Sequence, residues 1–238
     1  MLIKQTLGHV LSDNPKIKAL ALKVSAYPDF LRFQERFAVP ELISGEAREK
    51  RNKLFQVVSD QEGLSTIPLR YFEFGVHEGA SLNWWLETNQ NPASRFFGFD
   101  SFEGLPEDWS RTKQAGYFST NLKTPETDDA RIDFVPGWFH RTLPLMLQEL
   151  ETEDRTVIHL DADLYRSTIY PLLLIGSHLK DGDILIFDEF LDSSHEFRAF
   201  DDASSIFNWG FEVLAATQQF AQVAIKLKIA EAPVWRRS

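Results

Sequence analysis

Hydrophobic residues in the region from residue 69 to residue 190 fall into short runs separated by amphipathic stretches. Five runs, "RYFEFG", "RFFGFD", "RIDFVPG", "TVIHLD" and "DILIFDEF", are mostly apolar over four to six positions, as in strands that are buried on both faces. Stretches that suit crossover helices lie between them, at Ala80–Thr88, 139–150 and 167–180. This alternation predicts a parallel sheet with helices on both of its faces.

The end of the chain shows a different arrangement. A helical pattern over 196–208 is followed by the runs "FEVLAAT" and "QVAIKLKI", which are only a few residues apart. So short a connection joins antiparallel strands, because parallel strands need a crossover of a dozen residues or more. We therefore expect an α/β fold with seven strands, mainly parallel, in which one strand is reversed.

The first 68 residues have helical rather than strand patterning. Asn14 before Pro15 predicts the start of one helix, and its apolar face would carry Phe30, Leu31, Phe33 and Phe37. The stretch "PELISGEAREKRNKLFQVVSD" predicts a second, highly charged helix. We expect residues 1–68 to form a helical segment that covers the site or packs against a second copy in a homo-oligomer, and residues 69–238 to form the main domain.

Composition and charge narrow the class of partner. The chain has 238 residues, 43% of them hydrophobic, and a formal charge of −10, so it gains nothing from counterion release on nucleic acid. It contains no cysteine, which suits a reducing compartment. No apolar run is long enough for a signal peptide or a membrane span. We therefore expect a cytoplasmic protein that contacts neither nucleic acid nor a membrane and acts on a small molecule.

The first candidate site follows the first predicted strand. In "YFEFGVHEGASL", Glu73 ends the strand, and Gly75 and Gly79 lie in the turn to a helix, where backbone amides can approach an anionic ligand. Asp100 ends the next strand 21 residues after Gly79, close to the spacing of a ribose-binding acid in dinucleotide folds. The turn lacks the central glycine of the G-x-G-x-x-G pattern, having Val76 and His77 there, so a nicotinamide cofactor is disfavoured.

A second candidate site lies where two later strands end. Asp161 and Asp163 directly follow the run "VIHL", and Asp188 and Glu189 follow "ILIF". The carboxyl ends of strands in an open α/β sheet meet at one edge, where ligands bind. Carboxylates placed so closely repel one another unless a cation or hydrogen-bond donors offset the repulsion. This pattern indicates that a cation or hydrogen-bond donors lie nearby, and in a chain without cysteine a metal there would have oxygen or nitrogen ligands.

An acid, Gly-x-x-x-Gly and a second acid about 20 residues on resemble the S-adenosylmethionine site of class I methyltransferases. The motifs "FGFDSFEGLPEDW", "FVPGWFHRTLP" and "IHLDADLYRST" look like the macrocin O-methyltransferase family, magnesium-dependent enzymes that methylate sugar hydroxyls of macrolides. The resemblance implies a class I methyltransferase (Rossmann-like) sandwich that uses S-adenosylmethionine and Mg²⁺. The cofactor site would include Glu73, Gly75, Val76, His77, Gly79, Asp100, Ser101 and Phe102.

The same resemblance assigns roles at the second site. It implies that Asp161, Asp188 and Glu189 hold Mg²⁺, which would lower the pKa of a sugar hydroxyl, and that His140 removes the proton. Asp163 would lie behind the metal ligands, cap the following helix or bind the metal itself. The loop 101–130, long for a connection without secondary structure, would be a lid.

Two other functions fit some of these features. Asp161-Ala162-Asp163 is also the D-x-D pattern by which many glycosyltransferases hold a metal and a nucleotide sugar, although the glycine turn and Asp188 argue against that activity. A non-catalytic binding protein on the same fold is a further alternative, disfavoured because acids remain at the strand ends.

Overall fold

The protein is described by a computed structural model, which covers residues 15–37 and 42–230. The predicted helix start at Asn14 lies outside the described residues. The helices are α1 (Pro15–Arg36), α2 (Ala47–Glu62), α3 (Ala80–Thr88), α4 (Phe139–Thr142), α5 (Tyr165–Ile175) and α6 (Glu196–Phe207). None of the helices in this part of the chain is both long and apolar enough to cross a membrane.

One seven-stranded sheet forms the centre of the molecule, in the order β3-β2-β1-β4-β5-β7-β6. Its strands are β1 (Leu69–Phe74), β2 (Arg95–Asp100), β3 (Ile132–Pro136), β4 (Arg155–Leu160), β5 (Ile184–Phe187), β6 (Gly210–Ala216) and β7 (Val223–Lys228). β7 lies between β5 and β6 and is antiparallel to both, whereas the other pairs are parallel. The predicted seven strands with one reversed strand are confirmed.

Two predicted helices differ from the structure. The stretch predicted over 139–150 forms the short helix α4 and then two 3₁₀ turns, Leu143–Leu145 and Leu147–Leu150. Pro144 lacks the N–H that would continue the hydrogen-bond pattern of α4. The helix predicted over 167–180 is α5, which ends before Gly176. A Cβ at Gly176 would lie 2.2 Å from the ring of Phe207 on α6, so glycine at this position permits the close contact between the two helices.

Side chains alternate between the two faces of the sheet, and each face has its own core. On β1, Phe72 belongs to one core and Tyr71 to the other. The N-terminal helices contribute to both: α1 adds Phe30 and Phe33 to the core of Phe72, and α2 adds Leu54 and Phe55 to the core of Tyr71. The two helices therefore pack on opposite faces of the sheet. α2 covers the face on which the side chain of Tyr71 lies.

The loop 101–130 contains neither helix nor strand, yet it is folded back on itself. The backbone N–H of Leu105 donates to Tyr117, and that of Gly116 donates to Leu105, both over 2.9 Å. Pro125 of this loop lies 2.9 Å from the place that a Cβ on Gly79 would take. The loop therefore covers the start of α3, and its role as a lid stays a prediction.

Gly75 follows β1 at the point of closest approach to the end of β4. Its φ is +96°, and an added Cβ would lie 1.9 Å from the carbonyl oxygen of Asp161. Gly75 also donates its N–H to the carbonyl of Phe99 over 2.9 Å. The absence of a side chain at residue 75 therefore fixes how close the strand-end acids come to the glycine turn.

We predict that Gly75→Ala lowers the free energy of unfolding far more than the matched variant Gly63→Ala. Gly63 also has positive φ, +66°, but no atom lies within 4 Å of its added Cβ, so this control loses only the backbone term of about 1–2 kcal/mol. Gly75→Ala should lose about 1–3 kcal/mol more through overpacking. Urea unfolding of both variants measures the difference, and equal losses would contradict the close approach.

Candidate active site

A cavity of about 320 Å³ opens at the carboxyl ends of β1, β2, β4 and β5. Of the residues predicted from the sequence, it is lined by Gly75, His77, Asp100, Ser101, Asp161, Asp163, Asp188 and Glu189. The two candidate sites, the glycine turn and the acidic strand ends, are therefore parts of one cavity. Arg51, Lys113 and Trp138 also line it.

Asp100 holds the glycine turn and the loop that follows β2 in place. Its Oδ2 accepts the backbone N–H groups of Val76 and His77 over 2.9 and 2.8 Å, and its Oδ1 accepts that of Phe102 over 2.7 Å. The side chains of Val76 and Phe102 are buried. These two residues contribute to the site through their backbone N–H groups. Because a carboxylate offers about four acceptor positions, Asp100 can still accept a bond from a ligand in the cavity.

Glu73 does not line the cavity. β1 continues one residue past Glu73, to Phe74. The side chain of Glu73 lies on the same face of the sheet as that of Tyr71, which is the face covered by α2. There it is buried and accepts the Tyr71 hydroxyl over 2.6 Å, and its Oε2 lies 3.4 Å from Nδ1 of His159. The structure thus places Glu73 in a buried polar network below the cavity, away from the cofactor position predicted for it.

Asp161 and Asp188 face each other across the ends of the adjacent strands β4 and β5. The guanidinium of Arg51 bridges them, with Nη1 at 3.4 Å from Oδ2 of Asp161 and 3.3 Å from Oδ2 of Asp188. Burial raises the pKa of Asp161 well above its ordinary value, repulsion from Asp188 and Asp163 raises it further, and Arg51 opposes both effects. Two carboxylates held this closely favour binding of a cation.

Asp163 and Glu189 extend the acidic wall of the cavity. Burial and repulsion from Glu189 raise the pKa of Asp163 to about 7. Burial and the neighbouring Asp188 raise the pKa of Glu189. The backbone N–H of Glu189 donates to Oε2 of Glu196 over 2.9 Å, which fixes the loop after β5. Asp163 has a φ of +60°, so the chain turns sharply there and directs the residue into the cavity.

His140 is not brought together with the acids. It is exposed and lines a neighbouring cleft with Glu107, Arg141, Arg166 and Tyr170. The two openings share four lining residues, Pro106, Trp138, Phe139 and Ser167. Trp138 is one of these shared residues and is partly exposed, so its ring is available to a ligand as well as to packing.

Sequence reasoning missed three residues of the site. Arg51 lies in a helix rich in charge, and no pattern separates it from its neighbours. Lys113 lies in the loop 101–130, with its Nζ 3.9 Å from the ring centre of Trp109. His159 does carry a signal, because it is a polar residue in a buried strand, two positions before Asp161 and on the same face.

His159 completes a group of possible metal ligands. One atom each from His159, Asp161 and Asp188 lies within 4.8 Å of the others. His159 is fully buried, and its Nε2 has no hydrogen-bond partner among the described residues. A buried polar atom left without a partner is costly, so this nitrogen fits a site that receives a ligand.

The sheet order, the reversed β7 and the cavity at the strand ends define a class I, Rossmann-like methyltransferase fold. The fold is similar to the calicheamicin methyltransferase CalS11, with a TM-score of 0.59 over 90% of this chain and 93% of that one at 20% identity. It is also similar to the O-methyltransferase NovP, with a TM-score of 0.55 over 75% of this chain and 78% of that one at 21% identity. These similarities confirm the predicted fold.

Residues 40–206 match the family model of macrocin O-methyltransferase (TylF), and the chain therefore belongs to this family. It is 30% identical to the demethyldecarbamoylnovobiocin O-methyltransferase of Streptomyces niveus, over 87% of each chain. It is 29% identical to the 8-demethyl-8-(2,3-dimethoxy-alpha-L-rhamnosyl)-tetracenomycin-C 4'-O-methyltransferase of Streptomyces olivaceus, over 56% of this chain and 59% of that one. Membership of an O-methyltransferase family confirms the resemblance seen in the sequence and argues against the glycosyltransferase alternative.

Proposed function

We propose that the protein transfers a methyl group from S-adenosylmethionine to a hydroxyl of a sugar or a glycosylated natural product, with the help of a divalent metal ion. The observation that carries the proposal is the single cavity that joins the glycine turn and Asp100 to the acids Asp161, Asp163 and Asp188. The names of the two Streptomyces relatives support it, since one is an O-methyltransferase of a rhamnosyl-tetracenomycin and the other of demethyldecarbamoylnovobiocin.

The donor would lie along the glycine turn. Gly75 leaves room for it, and Asp100, already placed by three backbone N–H groups, would accept bonds from its ribose hydroxyls. Trp138 at the shared wall offers a face for the adenine or the acceptor. The donor's sulfonium is a cation, so the acids on the opposite wall favour its presence.

Asp161 and Asp188 would hold the metal ion, and Glu189 lines the same cavity. The unpartnered Nε2 of His159 and the carboxylate oxygens nearby are the observations that fit such an ion. Carboxylate oxygens suit Mg²⁺, which commonly binds one or two of them. When bound, the ion supplies a Lewis acid that lowers the pKa of the acceptor hydroxyl and orients it.

The position of the acids favours Asp163 over His140 as the group that takes the proton from the acceptor. Asp163 lines the cavity two residues from Asp161, whereas His140 is exposed in the neighbouring cleft. A general base must lie within hydrogen-bond reach of the proton that it removes. His140 would then contribute to the wall of that cleft without touching the reacting hydroxyl.

For the donor, we predict that Asp100→Ala weakens S-adenosylmethionine binding by about 100-fold or more. The variant loses a bond from the ribose to a charged acceptor, worth about 1.5–3 kcal/mol, and the backbone bonds that hold the glycine turn in place. Asp133→Ala, on the exposed side of the neighbouring strand β3, is the control and should bind normally. Calorimetric titration measures both, and an unchanged affinity of Asp100→Ala would contradict the assignment.

For the metal, we predict that a chelator abolishes methyl transfer and that added Mg²⁺ restores it. Asp161→Asn and Asp188→Asn should abolish the activity while the proteins stay folded by circular dichroism. The control Asp181→Asn removes an exposed carboxylate before β5, at the opposite end of the sheet. Full activity in excess chelator is the result that would exclude a metal.

For the base, we predict that Asp163→Asn lowers kcat by about 10²- to 10⁴-fold, the usual contribution of a general base. His140→Ala should stay within about threefold of the wild type, because its side chain is outside the cavity. Both variants should keep their affinity for S-adenosylmethionine by calorimetry. The reverse pattern, a large loss only in His140→Ala, would return the role of base to His140.

A further inference from the structure

We propose that His159 supplies a nitrogen ligand to the metal ion and that the site therefore prefers a divalent transition metal to Mg²⁺. The inference rests on the metal site of the proposed function and adds a ligand that differs in kind from the carboxylates. It identifies the class of ion that the site takes.

The sheet holds the imidazole ring of His159 beside the two acids. His159 is the fifth residue of β4, paired in register with Glu73 of β1 and Ile186 of β5, so the sheet fixes its backbone on both sides. Its side chain lies on the same face of the sheet as that of Asp161, which follows two residues later in the chain. Its Nε2 is 4.0 Å from Oδ1 of Asp188, which is too far for a hydrogen bond. A cation held between the two atoms would account for this spacing.

The neighbours of Nδ1 select the tautomer of the His159 ring. Nδ1 of His159 lies 3.1 Å from the Tyr71 hydroxyl oxygen and 3.4 Å from Oε2 of Glu73. The Tyr71 proton is donated to Glu73 over 2.6 Å, so the tyrosine oxygen is free to accept from the imidazole. A proton on Nδ1 therefore finds two acceptors, while a proton on Nε2 finds none among the described residues. The neutral ring that satisfies this network has its lone pair on Nε2.

Tyr71 and Glu73 support the His159 ring from the side opposite the acids. A histidine that binds a metal almost always donates its other N–H to a carboxylate or a carbonyl, which fixes its tautomer and orientation. Tyr71 and Glu73 form such a support and are fully or almost fully buried, at 0% and 1% exposure. This assigns Glu73 a function that its position outside the cavity otherwise leaves unexplained.

The donor set then selects the ion. One ring nitrogen of His159 and one oxygen each of Asp161 and Asp188 lie within 4.8 Å of one another, and Nε2 is the nitrogen 4.0 Å from Asp188. Mg²⁺ prefers oxygen ligands and keeps its waters, whereas imidazole is a common ligand of divalent transition metals. Two carboxylates and one neutral nitrogen therefore favour the transition metal over Mg²⁺.

Pulsed electron paramagnetic resonance of the Mn²⁺-loaded, full-length protein tests the proposal directly. The spectrum of protein labelled with ¹⁵N only at histidine should show coupling of Mn²⁺ to ¹⁵N, and the unlabelled protein should show coupling to ¹⁴N. His159→Gln should lose the coupling and lower Mn²⁺ affinity at least about tenfold, with a smaller effect on Mg²⁺. His178→Gln, a partly buried histidine just after α5, is the matched control and should keep the coupling.

Mn²⁺ bound without nitrogen coupling in the wild type would overturn the proposal but leave metal-dependent methyl transfer intact. Coupling that persists in His159→Gln would assign the ligand to another histidine and overturn it as well. Absence of any Mn²⁺ binding would overturn both this proposal and the metal site on which it rests. Where His159→Gln fails to fold, absence of nitrogen coupling in the wild type still overturns the proposal, and coupling that is lost in His77→Gln, a histidine that lines the cavity, overturns it as well.

Discussion

Repulsion between carboxylates at the ends of adjacent strands is the constraint on which the rest of the site depends. The backbone N–H of Asp161 donates to Phe74 of β1, and that of Asp188 donates to Leu160 of β4, so the hydrogen bonds of the sheet hold both residues in place. The acids cannot move apart without breaking these bonds. A positive charge is therefore needed beside them, and the guanidinium of Arg51, 3.4 and 3.3 Å from the two carboxylates, supplies part of it.

The N-terminal helices follow from this requirement. Arg51 reaches the acids only because α2 packs Leu54 and Phe55 against the face of the sheet that carries Tyr71. α1 covers the opposite face with Phe30 and Phe33. The segment before the first strand thus contributes both to the two cores and to the charge balance of the cavity, so its packing and the site are linked.

Much of this arrangement could be predicted from the sequence because it depends on local pattern. Apolar runs mark the strands, and the acids that directly follow them must meet at one edge of a parallel sheet. The end of α4 could also have been predicted from Pro144, but the apolar periodicity around this proline suggests a continuous helix. Strand length was harder to predict: one more residue in β1 places Glu73 beneath the cavity rather than in it.

Other features depend on packing at long range and leave no local pattern. Nothing in the charged stretch around Arg51 distinguishes it from Lys50 or Lys53 until α2 is placed on the sheet. His140 belongs to the same motif as Trp138, which lines the cavity. Although only two residues separate them, the side chain of His140 lies in the neighbouring cleft. His159 was visible as a polar residue in a buried strand, but its role requires the neighbours Tyr71 and Glu73 on β1.

The central claim is that the strand-end acids hold a divalent cation beside the methyl donor. Anomalous diffraction at the manganese absorption edge, from crystals grown with Mn²⁺ and S-adenosylhomocysteine, tests it most directly. The account predicts one strong peak between the carboxylates of Asp161 and Asp188, with the nucleoside along the glycine turn at Gly75 and Asp100. A cavity containing the nucleoside but no peak at the acids, or a peak elsewhere on the protein, would contradict it.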